Sequence, residues 1–208
     1  MSAETLLTFL VASTLLSLSP GPDNLFVLTQ SALHGRRAGI LITLGLCTGL
    51  LLHTMAVALG VAAIFLASAA AFTVLKLTGA AYLLYLAWLA FRAAGARLDL
   101  HGSSTLTGMA LYRRGIIMNI TNPKVAIFFL AFLPQFASPA HGAMTRQLIL
   151  LGLLFIVVAL VVFSLLACLA GVLAHWFQNS PKSQLIMNRI AGVVFVALAV
   201  RLATSRAL

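Results

Sequence analysis

Prolines interrupt two hydrophobic segments beside ionisable residues, and these interruptions hold the residues best suited to binding chemistry. The first break is Ser19–Asn24 (Ser-Pro-Gly-Pro-Asp-Asn), and the second, about half a chain length later, is Asn122–Lys124 (Asn-Pro-Lys). Proline has no N–H to donate and its ring clashes with the preceding turn, so each break frees backbone polar groups. In a bilayer such groups persist only where protein or a polar cavity satisfies them. Paired breaks in corresponding segments indicate the substrate site of a secondary transporter.

In the first break, Pro20 and Gly21 end one helical segment and Pro22 suits the first position of the next. Asp23 and Asn24 then lie in the first helical turn, where acceptors complement the positive end of the helix dipole. One interpretation is that Asp23 caps this half-helix. The other is that Asp23 binds a substrate ammonium or carries a coupled proton. A carboxylate within a membrane costs about 2.5 to 3.5 kcal/mol on insertion scales, which favours the functional interpretation.

The second break repeats the pattern with the opposite charge. Asn122 is a good N-cap, Pro123 suits the next position and Lys124 follows in the first turn, where its charge opposes the helix dipole. Lys124 either pairs with Asp23 or receives a substrate carboxylate beside the N–H groups of a half-helix start. An acid and a base at two facing breaks suit a zwitterionic amino acid. If Asp23 binds the substrate amine and a proton in turn, transport is coupled to proton movement.

Other polar residues lie near the breaks or within the spans. Asn119 lies one turn before Asn122, and Gln30 lies about two turns beyond Asn24. These side chains either satisfy freed backbone groups or contact substrate. His53 shares a helix face with small residues that permit close helix contact, namely Gly45, Gly49, Ala56 and Gly60. It is therefore expected to point into the bundle, in a structural hydrogen bond or as a proton relay. Lys76 lies near the end of its span, where its side chain is expected to snorkel to the headgroups.

The composition places the chain in the membrane. It is 62% hydrophobic and 8% charged, with a mean hydropathy of +1.11, whereas soluble domains carry about 25% charged residues. Residues 38–75, 125–145 and 147–181 contain no Asp, Glu, Lys or Arg, and each stretch could cross a bilayer core of about 20 residues. Single-domain, all-α membrane architecture follows for residues 1–208.

Six membrane spans are expected, in two groups of three, and each group begins with a broken segment. Because three is odd, the second half must run through the membrane opposite to the first, which is an inverted-topology repeat. The first three-span repeat covers residues 1–91, the linker covers 92–114 and the second repeat covers 115–208. The linker is polar and contains Gly95, Gly102, Ser103 and Ser104.

The net charge of +10 reflects membrane topology rather than nucleic-acid binding. The cations form short clusters between apolar segments, with no basic face interleaved with aromatics. Cationic loops are held on the cytoplasmic side. The first, third and fifth connections hold most of the cations and the second holds none, which predicts that both termini are periplasmic if the membrane is a bacterial inner membrane.

Enzyme motifs are missing from the sequence. It has no G-x-S-x-G elbow, phosphate loop or H-E-x-x-H, and an intramembrane aspartyl protease would need a second membrane carboxylate beside Asp23. Cys47 and Cys168 form no disulfide or metal framework by spacing, so we expect no metal or cofactor. The rival functions are a membrane thiol-electron carrier that uses these cysteines and a passive channel lined by a broken helix.

Several motifs resemble the LysE/RhtB family of amino-acid exporters. They are Ser19–Leu25, Gly35–Gly39, Leu75–Leu83, Asn119–Lys124 and Phe128–Phe136. The resemblance covers nearly the whole chain in order. It implies a six-span protein of the inner membrane that exports amino acids or close derivatives in exchange for protons. The expected partners are the substrate, protons and the lipid bilayer, and a homo-oligomer is compatible with the resemblance. It also makes Lys76 a candidate gate or binding residue.

Overall fold

The structure, a computed structural model, describes residues 1–61, 69–93, 106–172 and 181–204. The first half contains α1 (Ala3–Leu18), α2 (Pro22–His34), α3 (Arg36–Ala56, continued by a π-helical turn at Val57–Val61) and α4 (Ala69–Arg92). The second half contains α5 (Gly108–Thr121), α6 (Pro123–Ile127), α7 (Met144–Cys168) and α8 (Pro181–Thr204). A π-helical turn at Phe128–Phe132 and 3₁₀ turns at Leu133–Phe136 and Pro139–His141 connect α6 to α7.

Within the described residues, four helical segments are long and apolar enough to cross a membrane, and two bent pairs make six spans if each pair is one span. The bend between α1 and α2 is 58°, and the bend between α5 and the helical segment Pro123–Phe136 is 52°. Large apolar side chains such as Leu7, Val74 and Val157 are exposed on the outer faces. The prediction of an all-α membrane protein with a broken segment at each proline motif is confirmed.

The segment boundaries differ from expectation in one place. α5 begins at Gly108, with the Thr107 hydroxyl accepting from the Ala110 N–H at 3.3 Å, so helix extends into the stretch assigned to the linker. Residues 94–105 of that linker lie outside the described residues. The capping threonine starts the helix before Arg113 and Arg114, which the expected linker included.

Helix contacts link the two halves in matching pairs. α3 packs against α7 and α4 packs against α8, while the contact of α3 with α5 corresponds to that of α7 with α1. Exchange of the halves maps these contacts onto one another. An inverted repeat would produce the same pattern, and the repeat itself stays a prediction.

Small residues allow α3 and α5 to cross closely, as the glycine face of α3 predicted. A Cβ added to Gly45 would collide with the carbonyl oxygen of Tyr112, and one added to Gly115 would collide with that of Ile42. Between the same helices, Tyr112 Oη lies 2.9 Å from Thr48 Oγ1. The crossing places the end of α5, and with it the second break, beside α3.

Gly45→Ala is expected to destabilise the protein by about 1 to 3 kcal/mol, because the added methyl group must push two helix backbones apart. The measurement is the temperature at which the purified protein aggregates in detergent. Gly60→Ala is the control, since nothing lies within 4 Å of a Cβ built there. Equal melting of Gly45→Ala and Gly60→Ala would contradict the close crossing.

Phenylalanines form the core beneath the second break. The ring of Phe128 lies 5.0 Å from that of Phe132 and 5.1 Å from that of Phe155 on α7, and Phe9 on α1 lies 5.1 Å from Phe136. Rings at these separations pack favourably beyond their buried area. The cluster joins α1, α7 and the segment after α6, and so supports the short helix that carries Lys124.

Candidate functional site

The two breaks lie against each other in the structure. Lys124, from the first turn of α6, is buried and its Nζ donates to Ser19 O at 3.0 Å and to Leu16 O at 3.5 Å. Leu16 O is the carbonyl that the missing N–H of Pro20 leaves without a helical donor. A cation at the C-terminal end of α1 also complements that helix dipole. The ammonium of Lys124, which opposes the dipole of α6, thus stabilises the C-terminal end of α1.

Side chains also bond to other carbonyls that lie at the breaks. Asn24 Nδ2 donates to Ser17 O at 2.7 Å across the first break. At the second break, Pro123 cannot supply the helical donor of Asn119 O. That oxygen accepts instead from the Asn122 N–H at 3.1 Å and from His53 Nε2 on α3 at 3.3 Å. His53 therefore points into the bundle and makes the structural hydrogen bond that was the first of its two expected roles.

Gly21 allows Lys124 to approach the first break. A Cβ on Gly21 would lie 3.0 Å from Lys124 Nζ and 3.6 Å from its Cε, so a larger residue would displace the ammonium. Gly49 on α3 provides space for Asn119 in the same way, since a Cβ there would lie 2.7 Å from Asn119 Oδ1. Because both glycines lack a side chain, they leave the space that Lys124 and Asn119 occupy.

The two half-helices after the breaks begin differently. Asn122 caps α6 as predicted, because its Oδ1 accepts from the Lys124 N–H at 3.0 Å, while the N–H groups of Val125 and Ala126 bond to Asn122 O. The N–H groups of α6 are therefore taken, contrary to the expectation that they stay free for a substrate carboxylate. α2 instead has Gly21 as its N-cap, which offers no side-chain acceptor. Asp23 lies in its first turn, and its capping role stays a prediction.

A small cavity of about 10 Å³ lies between the breaks, which is room for about one water. Asp23, Asn119 and Lys124 line it, together with Ser17, which the sequence analysis missed. The Oδ1 atoms of Asp23 and Asn119 and the Ser17 hydroxyl are buried without a hydrogen-bond partner. In this conformation Lys124 Nζ donates to backbone carbonyls at the C-terminal end of α1.

A second cavity of about 500 Å³ lies on the other side of Lys124, between the breaks and helices α4 and α8. Lys124 lines both cavities and Asn122 lines the large one. The Nδ2 atom of Asn122 is buried and makes no hydrogen bond. The walls include Tyr82 and Leu86 of α4 and Asn188 and Phe195 of α8. None of these four was singled out from the sequence. Tyr82, Leu86 and Phe195 are of types that ordinarily face lipid or core in apolar helices, and Asn188 lies far from both proline breaks in the sequence.

Gln30 and Lys76 lie elsewhere. Gln30 is buried on α2 with its Oε1 unpartnered, but it lines neither cavity. Lys76 is 7% exposed, so the prediction that it snorkels to the headgroups is wrong. A position near a span end did not reveal this burial. Cys47 is buried on α3, whereas Cys168 is exposed at the end of α7.

Comparison with known proteins identifies the family. Residues 14–206 match the LysE type translocator family. The chain is 40% identical to the homoserine/homoserine lactone efflux protein of Salmonella typhimurium, with 99% of both chains covered. It is 28% identical to the leucine efflux protein of Salmonella choleraesuis, with 95% of this chain and 93% of that protein covered. No solved structure matches it. This chain therefore belongs to the LysE family of translocators.

Proposed function

We propose that this protein is a secondary transporter that exports amino acids or close derivatives across the bacterial inner membrane in exchange for protons. The observation that carries the proposal is the placement of Lys124, which lines both a cavity large enough for an amino acid and a small cavity that Asp23 also lines. The relatives named as homoserine, homoserine lactone and leucine efflux proteins support an amino-acid cargo.

The substrate carboxylate is assigned to the inner end of the large cavity. Lys124 Nζ uses two hydrogen bonds to carbonyls there, and an ammonium has three donors, which leaves one for a ligand. The uncapped start of α2 at Gly21 lies beside this ammonium and presents the positive end of a helix dipole. The unpartnered Asn122 Nδ2 is a further donor. These groups recognise a carboxylate by charge and by hydrogen bonding.

Asp23 is assigned the amine and the coupled proton. Its carboxylate lies beyond Lys124, so a substrate in the large cavity reaches it only when Lys124 releases the carbonyls of α1. A substrate carboxylate competes with those carbonyls for the ammonium and thereby favours release. Asp23 then holds the substrate amine on the outward step and a proton on the return step. Alternation between the two ligands couples amino-acid exit to proton entry without a free buried charge.

The direction of transport follows from the charges of the loops. The large cavity lies beside the C-terminal half of α4 and the N-terminal half of α8, whose ends lead into the cation-rich third and fifth connections. If those connections are cytoplasmic, both termini are periplasmic and the large cavity loads from the cytoplasm. The two halves would then form an inverted repeat around the breaks.

The test is a transport assay with everted membrane vesicles. Amino acids added singly to energised vesicles that contain the protein should dissipate the acid interior, read with a pH-sensitive dye, and the rate should saturate with substrate. Vesicles without the protein are the control. A flux that does not saturate, or that ignores the proton gradient, would favour a passive channel.

One variant distinguishes the exporter from a membrane thiol-electron carrier. Cys47→Ala combined with Cys168→Ala should export at the wild-type rate, since one thiol is buried in α3 and the other is exposed. Loss of export in this double variant would favour the thiol carrier over an exporter.

A further inference from the structure

We propose that the large cavity is the subsite for the side chain of the exported amino acid and that it selects uncharged, apolar side chains. This inference rests on the proposed function, and it narrows the cargo to one substrate class. A volume of about 500 Å³ falls within the range of small-molecule sites, about 300 to 1,000 Å³.

The cavity is polar at one end and apolar along its length. Gly21, Asn122 and Lys124 form the end at the breaks. From there the wall on α4 runs from Tyr82 to Ala93, about 16 Å at 1.5 Å per residue. A cargo whose carboxylate meets Lys124 must therefore extend its side chain along α4 and α8.

The described walls offer no carboxylate to an ionic side chain. Among the described residues that line this cavity, Lys124 alone is charged, and none is Asp or Glu. Against these walls a lysine or arginine side chain would lose its hydration without gaining a carboxylate partner, which is costly in an apolar site. A glutamate side chain would find Lys124 already engaged by the main carboxylate. Leu86, Leu89 and Phe195 instead offer contacts to an aliphatic or aromatic group.

The polar groups away from the breaks do not alter this preference. Asn188 Nδ2 already donates to Ala93 O at 3.3 Å, which ties α8 to the end of α4. Tyr82 contributes a ring that lies 5.9 Å from that of Tyr85. The cavity thus combines a fixed charged end with an apolar wall whose bulk limits the size of the side chain.

Counterflow in proteoliposomes of the purified protein tests the subsite. The panel is alanine, leucine, phenylalanine, lysine and glutamate, each as competitor of one labelled neutral amino acid. Leucine should compete at least about 10-fold more strongly than lysine or glutamate. A single methylene group in a fitted hydrophobic pocket already changes discrimination between substrates by about 10- to 200-fold. Equal competition by lysine and leucine would overturn the subsite while leaving amino-acid export intact.

Two opposite variants test where the side chain lies. Ala90→Phe narrows the cavity and should weaken leucine transport about 10-fold more than alanine transport. Leu86→Ala widens it and should improve phenylalanine relative to leucine. The matched control is Leu84→Phe on the same helix, which is 49% exposed and lines neither cavity.

The outcomes separate the two proposals. If both cavity variants change every amino acid equally, or change none because lipid fills the cavity, the side-chain subsite is wrong. If the wild-type protein exchanges no amino acid, the proposed function is wrong and the subsite falls with it. Unchanged aggregation temperatures of the variants in detergent establish that each one is folded.

Discussion

Asp23→Asn is expected to abolish the proton-coupled signal in everted vesicles. The substitution keeps the size of the side chain but removes the titratable group that alternates between substrate amine and proton. Counterflow of labelled for unlabelled amino acid requires no net proton exchange. It should therefore persist, at about a tenth of the wild-type rate, because a neutral amide binds an ammonium less well than a carboxylate does. The measurements are dye quenching and counterflow on the same vesicles.

Glu4→Gln is the control for this result, because Glu4 is an exposed carboxylate in the first turn of α1, away from the breaks. It should leave both signals unchanged. A proton-coupled signal that survives Asp23→Asn would show that another group carries the proton. Loss of both signals in a folded protein would show that Asp23 binds substrate without a separate coupling role.

Lys124→Gln is expected to reduce export by about 10- to 150-fold, mainly through a higher KM. Hydrogen bonds to charged groups contribute about 1.5 to 3 kcal/mol, and this variant removes the ammonium that faces the substrate carboxylate. It also removes the donor to Ser19 O and Leu16 O, so the first break loses its cross-link to α6. Initial rates across a range of substrate concentrations give KM and the maximal rate separately.

Lys124→Arg separates charge from geometry. The guanidinium keeps the charge, but it is larger than the space beside Gly21 allows, since a single added Cβ there would already lie 3.0 Å from Nζ. Partial recovery relative to Lys124→Gln is expected. Arg189→Gln, an exposed cation on α8, is the matched control and should export normally. An unchanged KM in Lys124→Gln would contradict the carboxylate assignment.

Local features of the sequence were sufficient to predict the membrane class and the two breaks. Long uncharged stretches, proline geometry and the capping preference of Asn122 each act over a few residues, so they hold wherever the segment packs. The same is true of the glycine face of α3, which predicted both a close helix crossing and an inward His53. The family motifs are also contiguous in sequence, and the family assignment agreed with them.

Partners across the bundle could not be predicted in this way. Lys124 was expected to face Asp23 or substrate, yet its hydrogen bonds go to Ser19 O and Leu16 O, more than a hundred residues earlier in the chain. His53 bonds to the carbonyl that Pro123 frees on another helix. Lys76 is covered by packing instead of reaching the headgroups. Each outcome depends on which helices meet, and hydropathy alone leaves that choice open because lipid and protein surroundings are equally apolar.

The sequence by itself determined that this is an α-helical membrane protein of the LysE family with an acid and a base at two proline breaks. Only the tertiary structure decided that Lys124 lies between a small cavity with Asp23 and a large apolar cavity beside α4 and α8. The physical reason is that charge, proline and hydrophobicity are properties of single segments. A cavity is the space that several packed segments leave between them, and it exists only once their crossing is set.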